Sequence, residues 1–247
     1  MPAFWRNVTS IRTVASLAAA VVAGSAFGQN GAPNFIMTWD ASNDSVGALD
    51  YNWNQYGQLS DNGDDSYTYI GELYGANDLW RLTWNCTFDP DPFVTANIVV
   101  TNNDVNPQNF SLLMTLPIAP PVPSPIIDGS VSGTLTDLGG NGAQVSALAG
   151  GSIYTSFIDG NIEETLLDDP FSVSVPFGGA AVGPAAFGPQ AATEASADTN
   201  IAILLEFQLS PGDSASFTSI FNVVPGPGGL SMLAVMGLMS RGRRRRD

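Results

Sequence analysis

Apolar and polar residues alternate with a period of two along most of the chain. Trp80, Leu82, Trp84, Cys86 and Phe88 are interleaved with Arg81, Thr83, Asn85 and Thr87, the pattern of a β-strand with one face in a core. Val94, Ala96, Ile98 and Val100 share one face of a second strand, and Phe110, Leu112, Met114 and Leu116 one face of a third. Residues 101–109 between them are rich in Asn and Asp and carry Pro107, which predicts a hairpin loop. Ile201, Ile203, Leu205, Phe207 and Leu209 face inward from a further strand. The turn Ser210-Pro211-Gly212-Asp213 follows, and Phe217 with Ile220 or Phe221 returns along the sheet, a second predicted hairpin. Segments 35–39, 67–74, 131–138, 153–158, 171–175 and 216–223 complete a set of about ten strands. The predicted fold is all-β, an antiparallel β-sandwich.

Two stretches break the alternation. Residues 117–125 hold five prolines, so they cannot form an interior strand and are expected to run as extended polyproline. They either separate two domains or cross between two sheets, and crossing fits better because neither flank alone reads as a complete core. Residues 178–200 are low-complexity Gly, Ala and Pro with acidic spots, which predicts a long surface loop containing at most one short helical turn. The 26 Gly and 17 Pro among 247 residues favour many short elements joined by turns.

The ends have a different character. Arg6 and Arg12 precede an apolar run from Val14 to Ala23, then small residues, then polar Gln29 and Asn30. This is the layout of a secretory signal peptide, cleaved between Gly28 and Gln29 or, alternatively, after Ala26. At the other end come Val224, Pro225, Gly226, Pro227 and Gly228. An apolar segment follows with Gly229, Leu230, Met232, Leu233, Val235, Met236, Leu238 and Met239, predicted to be a short helix. The chain then carries Arg241, Arg243, Arg244, Arg245 and Arg246. Thirteen residues of helix span only about 20 Å of a hydrocarbon layer roughly 30 Å thick. Such a segment suits transient membrane insertion, with the arginines held on the cytoplasmic side. The order of motif, apolar segment and basic cluster resembles the PEP-CTERM sorting signal of bacterial exported proteins, the substrates of exosortase transpeptidases. The likeness covers residues 224–246, and Gly226 stands where the usual form has Glu. It implies that an exosortase reads the motif and removes or exchanges the tail. The mature domain would then reach the cell surface or extracellular polysaccharide matrix of a Gram-negative-type bacterium. The expected organisation is a signal peptide over 1–28, an acidic sandwich over 29–223 and a sorting signal over 224–247.

Charge narrows the function. All 23 acidic residues except Asp247 lie in the central region, where Arg81 is the single cation. Such a surface repels phosphates and anionic membranes, so no nucleic acid partner is expected. With no His and no Lys in the chain, imidazole bases, His metal ligands and Schiff-base lysines are excluded. There is no Gly-x-Ser-x-Gly elbow and no phosphate loop. Glu72, between Tyr69 and Tyr74, is the best-placed carboxylate for hydrolytic chemistry, but its pattern equally fits the polar face of an edge strand. No catalytic residue and no enzyme activity are expected.

Three other features are candidates for chemistry. Cys86 is unpaired and falls on an apolar strand face, which predicts an inert buried thiol. Tyr51, Trp53 and Tyr56 lie in a polar, Asn-rich stretch and are the best candidates for an aromatic platform that stacks on sugar rings. Asp61, Asp64 and Asp65, with Asp89 and Asp91 as a second group, offer hard oxygen ligands for Ca2+, the one ion the sequence admits. Neither group matches an EF-hand loop, and the first reads better as a turn. The sequence points to an exported structural or adhesive protein processed by an exosortase. The alternative is a surface module that binds extracellular polysaccharide.

Overall fold

The computed structural model describes residues 36–41, 49–52, 56–89 and 91–226. Signal-peptide residues Gly28 and Gln29, Trp53, and the tail from Pro227 through the apolar segment and arginines lie outside the described residues. Within them, seventeen strands pair antiparallel and the sole helical element is a 3-10 turn at Ala76–Asp78. β1 (Ile36–Ala41) and β2 (Leu49–Asn52) belong to one sheet. β3 (Gly57–Asp61), β4 (Tyr67–Tyr74), β5 (Trp80–Asp89) and β6 (Phe93–Asn102) form a meander in the other. β7 (Gln108–Pro117) returns to the first sheet. β8 (Val122–Pro123) sits in the proline-rich crossing, and β9 (Pro125–Asp137) lies in the second sheet. β10 (Ala143–Ser146), β11 (Ser152–Ile158), β12 (Asn161–Asp168) and β13 (Ser172–Val175) extend the first. β14 (Gly179–Ala191) is in the second, β15 (Ser196–Ala197) pairs with β8, β16 (Asn200–Leu209) is in the first and β17 (Asp213–Pro225) in the second.

The result is an antiparallel β-sandwich. The eight-stranded sheet runs β12-β11-β16-β7-β1-β2, with β10 also pairing β16 and β13 pairing β10, and the seven-stranded sheet runs β14-β9-β17-β6-β5-β4-β3. The inward faces carry the residues the alternation predicted. Trp80, Leu82, Trp84, Cys86 and Phe88 from β5 meet Ile201, Ile203, Leu205, Phe207 and Leu209 from β16 in one continuous core. Phe207 packs on Phe217 across the sandwich with ring centroids 4.8 Å apart. Cys86 is fully buried, and desolvation pushes its thiol up to about 12.

Both predicted hairpins are overturned. β6 and β7 lie in different sheets, and so do β16 and β17. Each pair is an arch whose apolar faces oppose one another across the core. Period-two patterning fixes which residues point inward, and the loop fixes whether the next strand lies beside the first or across from it. A neighbour in the same sheet is roughly 5 Å away, and the opposite sheet roughly 10 Å. Two more arches, β9 to β10 and β13 to β14, join the same two sheets. Because β14, β9, β17 and β6 adjoin in one sheet and β13, β10, β16 and β7 in the other, the four arches stack side by side with their loops at one end.

Asn102 sews the stack together. Its side chain is fully buried, and its amide donates to the carbonyls of Asn106 at 2.9 Å and of Leu209 and Ser210 at 3.1 Å. The Asn102 backbone carbonyl accepts the Gly212 N–H at 2.8 Å. The next arch is tied by Ser210, whose N–H donates to Gln144 O and whose hydroxyl accepts the Gln144 N–H. Asp137 then closes the loop after β9 by accepting the N–H groups of Gly140 and Gly142.

The count of about ten strands is also corrected. The ten expected segments are all strands, and β2, β3, β8, β10, β12, β14 and β15 are added. The added strands are short or lack apolar alternation. Residues 178–200 are not a loop: most of them form β14, whose ladder with β9 shifts register where Gly183-Pro184 and Gly188-Pro189 interrupt it. Its Gly, Ala and Pro residues gave no periodic signal, and it is held by its ladder with β9 together with Val182, which is fully buried in the core, and Phe187, which packs against Tyr154 and Phe221. As an edge strand with two bulges and prolines that have no N–H, it is poorly suited to pair with another chain. Prolines 117–125 carry the chain from the eight-stranded to the seven-stranded sheet, and β8 pairs there with β15 in the opposite crossing.

Replacing Asn102 with Ala leaves three carbonyls without their donor. It is expected to lower the unfolding free energy by about 3 kcal/mol, read as a shift of the urea midpoint; a change below about 0.5 kcal/mol contradicts the role given to it. Cys86 is expected to react with a thiol reagent only after denaturation, and reaction of the native protein at the rate of a free thiol contradicts the burial.

Candidate functional site

The aromatic-rich stretch and the acidic loops were the sequence candidates, and the structure uses most of their side chains internally. Tyr69 and Trp84 face the core, with ring centroids 5.5 Å apart. The paired glycines Gly57 and Gly71 make room for them, since a Cβ at either would collide with the Tyr69 or Trp84 ring. Tyr56 is half-buried and packs against the same core, which does not fit an open platform. Tyr51 occupies β2 opposite Met37 of β1, and Trp53 is outside the described residues.

Residues 61–66 form the turn between β3 and β4. Asp61 Oδ1 accepts the Gly63 N–H at 2.7 Å, and the Asn62 N–H donates to Ser66 O at 3.0 Å. Asp64 Oδ1 accepts the Ser66 hydroxyl at 2.6 Å and the Ser66 N–H, which together hold its carboxyl below the usual range. Asp65 takes the left-handed turn conformation with φ of 67°. Asp61 and Asp64 serve their own loop rather than converging with Asp65, and among the described residues no three acidic or thiol groups converge on a point that suits a metal ion. Asp89 likewise accepts the Asp91 N–H.

Glu72 is held by Arg81 at 2.8 Å and by the Tyr74 hydroxyl at 3.2 Å, while the Arg81 guanidinium lies 5.4 Å from the Tyr74 ring centre. The Arg81 hydrogen bond, followed by that of Tyr74, keeps the Glu72 carboxyl ionised below its ordinary value. All three sit at the solvent surface on β4 and β5 and form a charge cluster.

A groove does exist, on the outer face of the eight-stranded sheet. It has a volume of about 240 Å³. Its rows follow from register: Leu113, Leu204, Thr155 and Thr165 face out side by side across β7, β16, β11 and β12, and beside them lie Thr115, Ala202, Phe157 and Ile162. Leu113 and Ala202 are buried there, with Phe157 and Leu204 half-buried, as a second apolar cluster separate from the sandwich core. Ile162 stands at the mouth with 60% of its surface exposed. Glu206 lies in the adjoining row, where its Oε1 accepts the Ser111 hydroxyl at 2.9 Å. Desolvation raises its carboxyl above the ordinary value, aided by the nearby Asp40 and opposed by Ser111. The signal for this site was in the sequence: Leu112-Leu113-Met114 and Ile201-Ala202-Ile203-Leu204-Leu205 are apolar on both faces, as strands are when neither face meets bulk water.

Asp159 fixes one end of the groove. At the β11–β12 turn its carboxylate accepts the N–H groups of Asp198, Thr199 and Asn200 and the Thr199 hydroxyl, at 2.6 to 2.9 Å. Asn200 is thereby set in the groove wall. Glu163, also on β12, similarly accepts the N–H groups of Thr193 and Glu194.

No protein-family model matches the chain, and no curated protein is detectably similar to it. Among solved structures, the extra C-terminal domain of an exo-1,3/1,4-beta-glucanase from a Pseudoalteromonas species is similar over 82% of this chain and 93% of that one. The identity is 10% and the TM-score 0.23, too slight a likeness to carry a site from one chain to the other.

Desolvation raises the Asp159 carboxyl, and its four hydrogen bonds outweigh that and hold it below the ordinary value. A depressed folded-state pKa gives stability that is present above the unfolded value near 3.9 and lost as pH falls through the folded one. The urea midpoint of the native protein is therefore expected to fall below about pH 4. Asp159→Asn, which turns an NH2 group toward N–H donors, should lower the midpoint at neutral pH and flatten this acid limb. Identical acid limbs for the two proteins contradict the assignment.

Proposed function

We propose that the chain is an exported, non-catalytic β-sandwich with a structural or adhesive role at the cell surface or in the extracellular matrix. In this reading it is delivered through its C-terminal signal and processed by an exosortase. The observation that supports this most directly is where the fold meets the tail. β17 includes Val224 and Pro225, paired with Ile126 and Pro125 of β9, and the Gly226 N–H donates to Ser124 O at 3.0 Å. The Pro-Gly motif thus begins at the last strand pair of the sandwich. Cutting just beyond it would free the tail without removing a strand. A buried, unpaired thiol and an acidic surface suit a protein that must stay folded and soluble outside the cell.

The outer-face groove favours a second reading, in which the sandwich also holds extracellular polysaccharide. Its lining mixes apolar and hydroxyl groups and carries no cation.

Intact mass spectrometry of the protein from its native host, taken separately from membrane and medium, tests the sorting reading. Loss of residues 1–28 with a new C-terminus just beyond Pro225 is the expected mass. A chain that keeps Asp247 overturns exosortase processing.

A further inference from the structure

The groove on the eight-stranded sheet is built on rigid strands rather than loops, and its polar groups are placed around an apolar floor. Leu113, Ala202 and Leu204 form the floor, Phe157 and Ile162 one wall, and Ser152, Thr155, Thr165 and Asn200 add hydroxyl and amide groups. At the far side stands half-buried Glu206, whose Oε1 accepts the Ser111 hydroxyl. A carboxylate at the rim of an apolar floor is a ready acceptor for a hydroxyl donor. Anionic ligands are disfavoured on charge. Among the described residues Arg81 is the one cation, and it lies in the opposite sheet, paired with Glu72. Phosphates, sulfates and uronates would meet Glu206 and Asp40 with nothing to neutralise them. A purely apolar ligand would leave Glu206 and the threonines unsatisfied. What matches is a neutral molecule with one apolar face and a rim of hydroxyl donors.

We propose that this groove binds a short segment of neutral hexopyranose units of an extracellular polysaccharide, the C–H face of one unit on Phe157 and Ile162 and a hydroxyl farther along the segment donated to Glu206. The volume of about 240 Å³ is a little below the usual range of ligand pockets and suits a short segment lying along an open groove. Its walls are held by the β11–β12 hairpin and by Asp159. The site differs from the Tyr51, Trp53 and Tyr56 platform expected from the sequence. It rests on the polysaccharide reading above and is independent of the sorting reading.

Affinity electrophoresis of the mature protein from its host tests it, in gels containing a neutral glucan, mannan or galactan or the polyuronate alginate. Retardation by at least one neutral polymer and none by alginate is expected. Phe157→Ala and Ile162→Asp should each weaken it by about tenfold, while Tyr56→Ala leaves it unchanged. Ile162 is exposed, so its variant keeps the test decisive where Phe157→Ala proves unstable. If no neutral polymer retards the protein, both the polysaccharide reading and this site are overturned. Retardation that survives the Phe157 and Ile162 variants overturns the site alone. Equal retardation by alginate overturns the charge argument. Concentration-dependent dimerisation that Ile162→Asp abolishes, with no retardation by any glycan, assigns the face to a second copy of the chain and also overturns the proposal.

Discussion

The side chain of Asn102 sits where two β-arches meet, and much of the architecture depends on it. An arch must turn the chain between sheets roughly 10 Å apart, which leaves loop carbonyls pointing inward without ladder partners. Each such group would cost free energy if buried unpaired. One amide, shared among the carbonyls of Asn106, Leu209 and Ser210, satisfies them and fixes the two arches in register. The neighbouring arches repeat the solution with Ser210 at Gln144 and Asp137 at Gly140 and Gly142. Three of the four connections that cross the core are thereby held by local polar contacts, and the fourth is tied to them by the Asp137 N–H donating to Gly178 O.

The opposite end is closed by a different device. There the two long crossings pair through β8 and β15, and two carboxylates order the chain between them. Asp159 and Glu163, from the turn and strand of one hairpin, gather the backbone N–H groups of residues 193–194 and 198–200. A carboxylate that accepts several N–H groups orders a segment of poor intrinsic structure, here the Ala-rich stretch before β16. The acidity of the chain is therefore partly structural. Some of its carboxylates hold loops, and others, such as Asp64 and Glu72, are satisfied at the surface by a neighbour.

These same restraints shape the groove. The β11–β12 hairpin and β16 are locked together at Asp159, so the row from Leu113 to Thr165 is presented as a fixed surface. Glu206 is the one carboxylate of its lining. Its chemistry is acceptor-only, and the apolar residues around it give the face its amphipathic character.

The sequence by itself determined the strand class, the inward set of residues and the burial of Cys86, because a two-residue period is a local property of the backbone. It also marked the chemical contrast between the acidic centre and the basic, apolar ends. It did not determine which strands lie side by side. Residues 101–109 and 210–213 carry good turn chemistry, yet a turn and an arch use the same residues and leave the same faces apolar. The strand β14 was illegible because Gly, Ala and Pro have no apolar period; only its ladder with β9 makes it a strand. Of the candidate sites, the acidic turn at 61–66 was legible from its Asp, Asn and Gly residues. Of the groove, only the two-faced apolarity of β7 and β16 was legible and not the site itself, since Leu113, Phe157, Ile162 and Glu206 come from four strands that only the tertiary fold brings to one face.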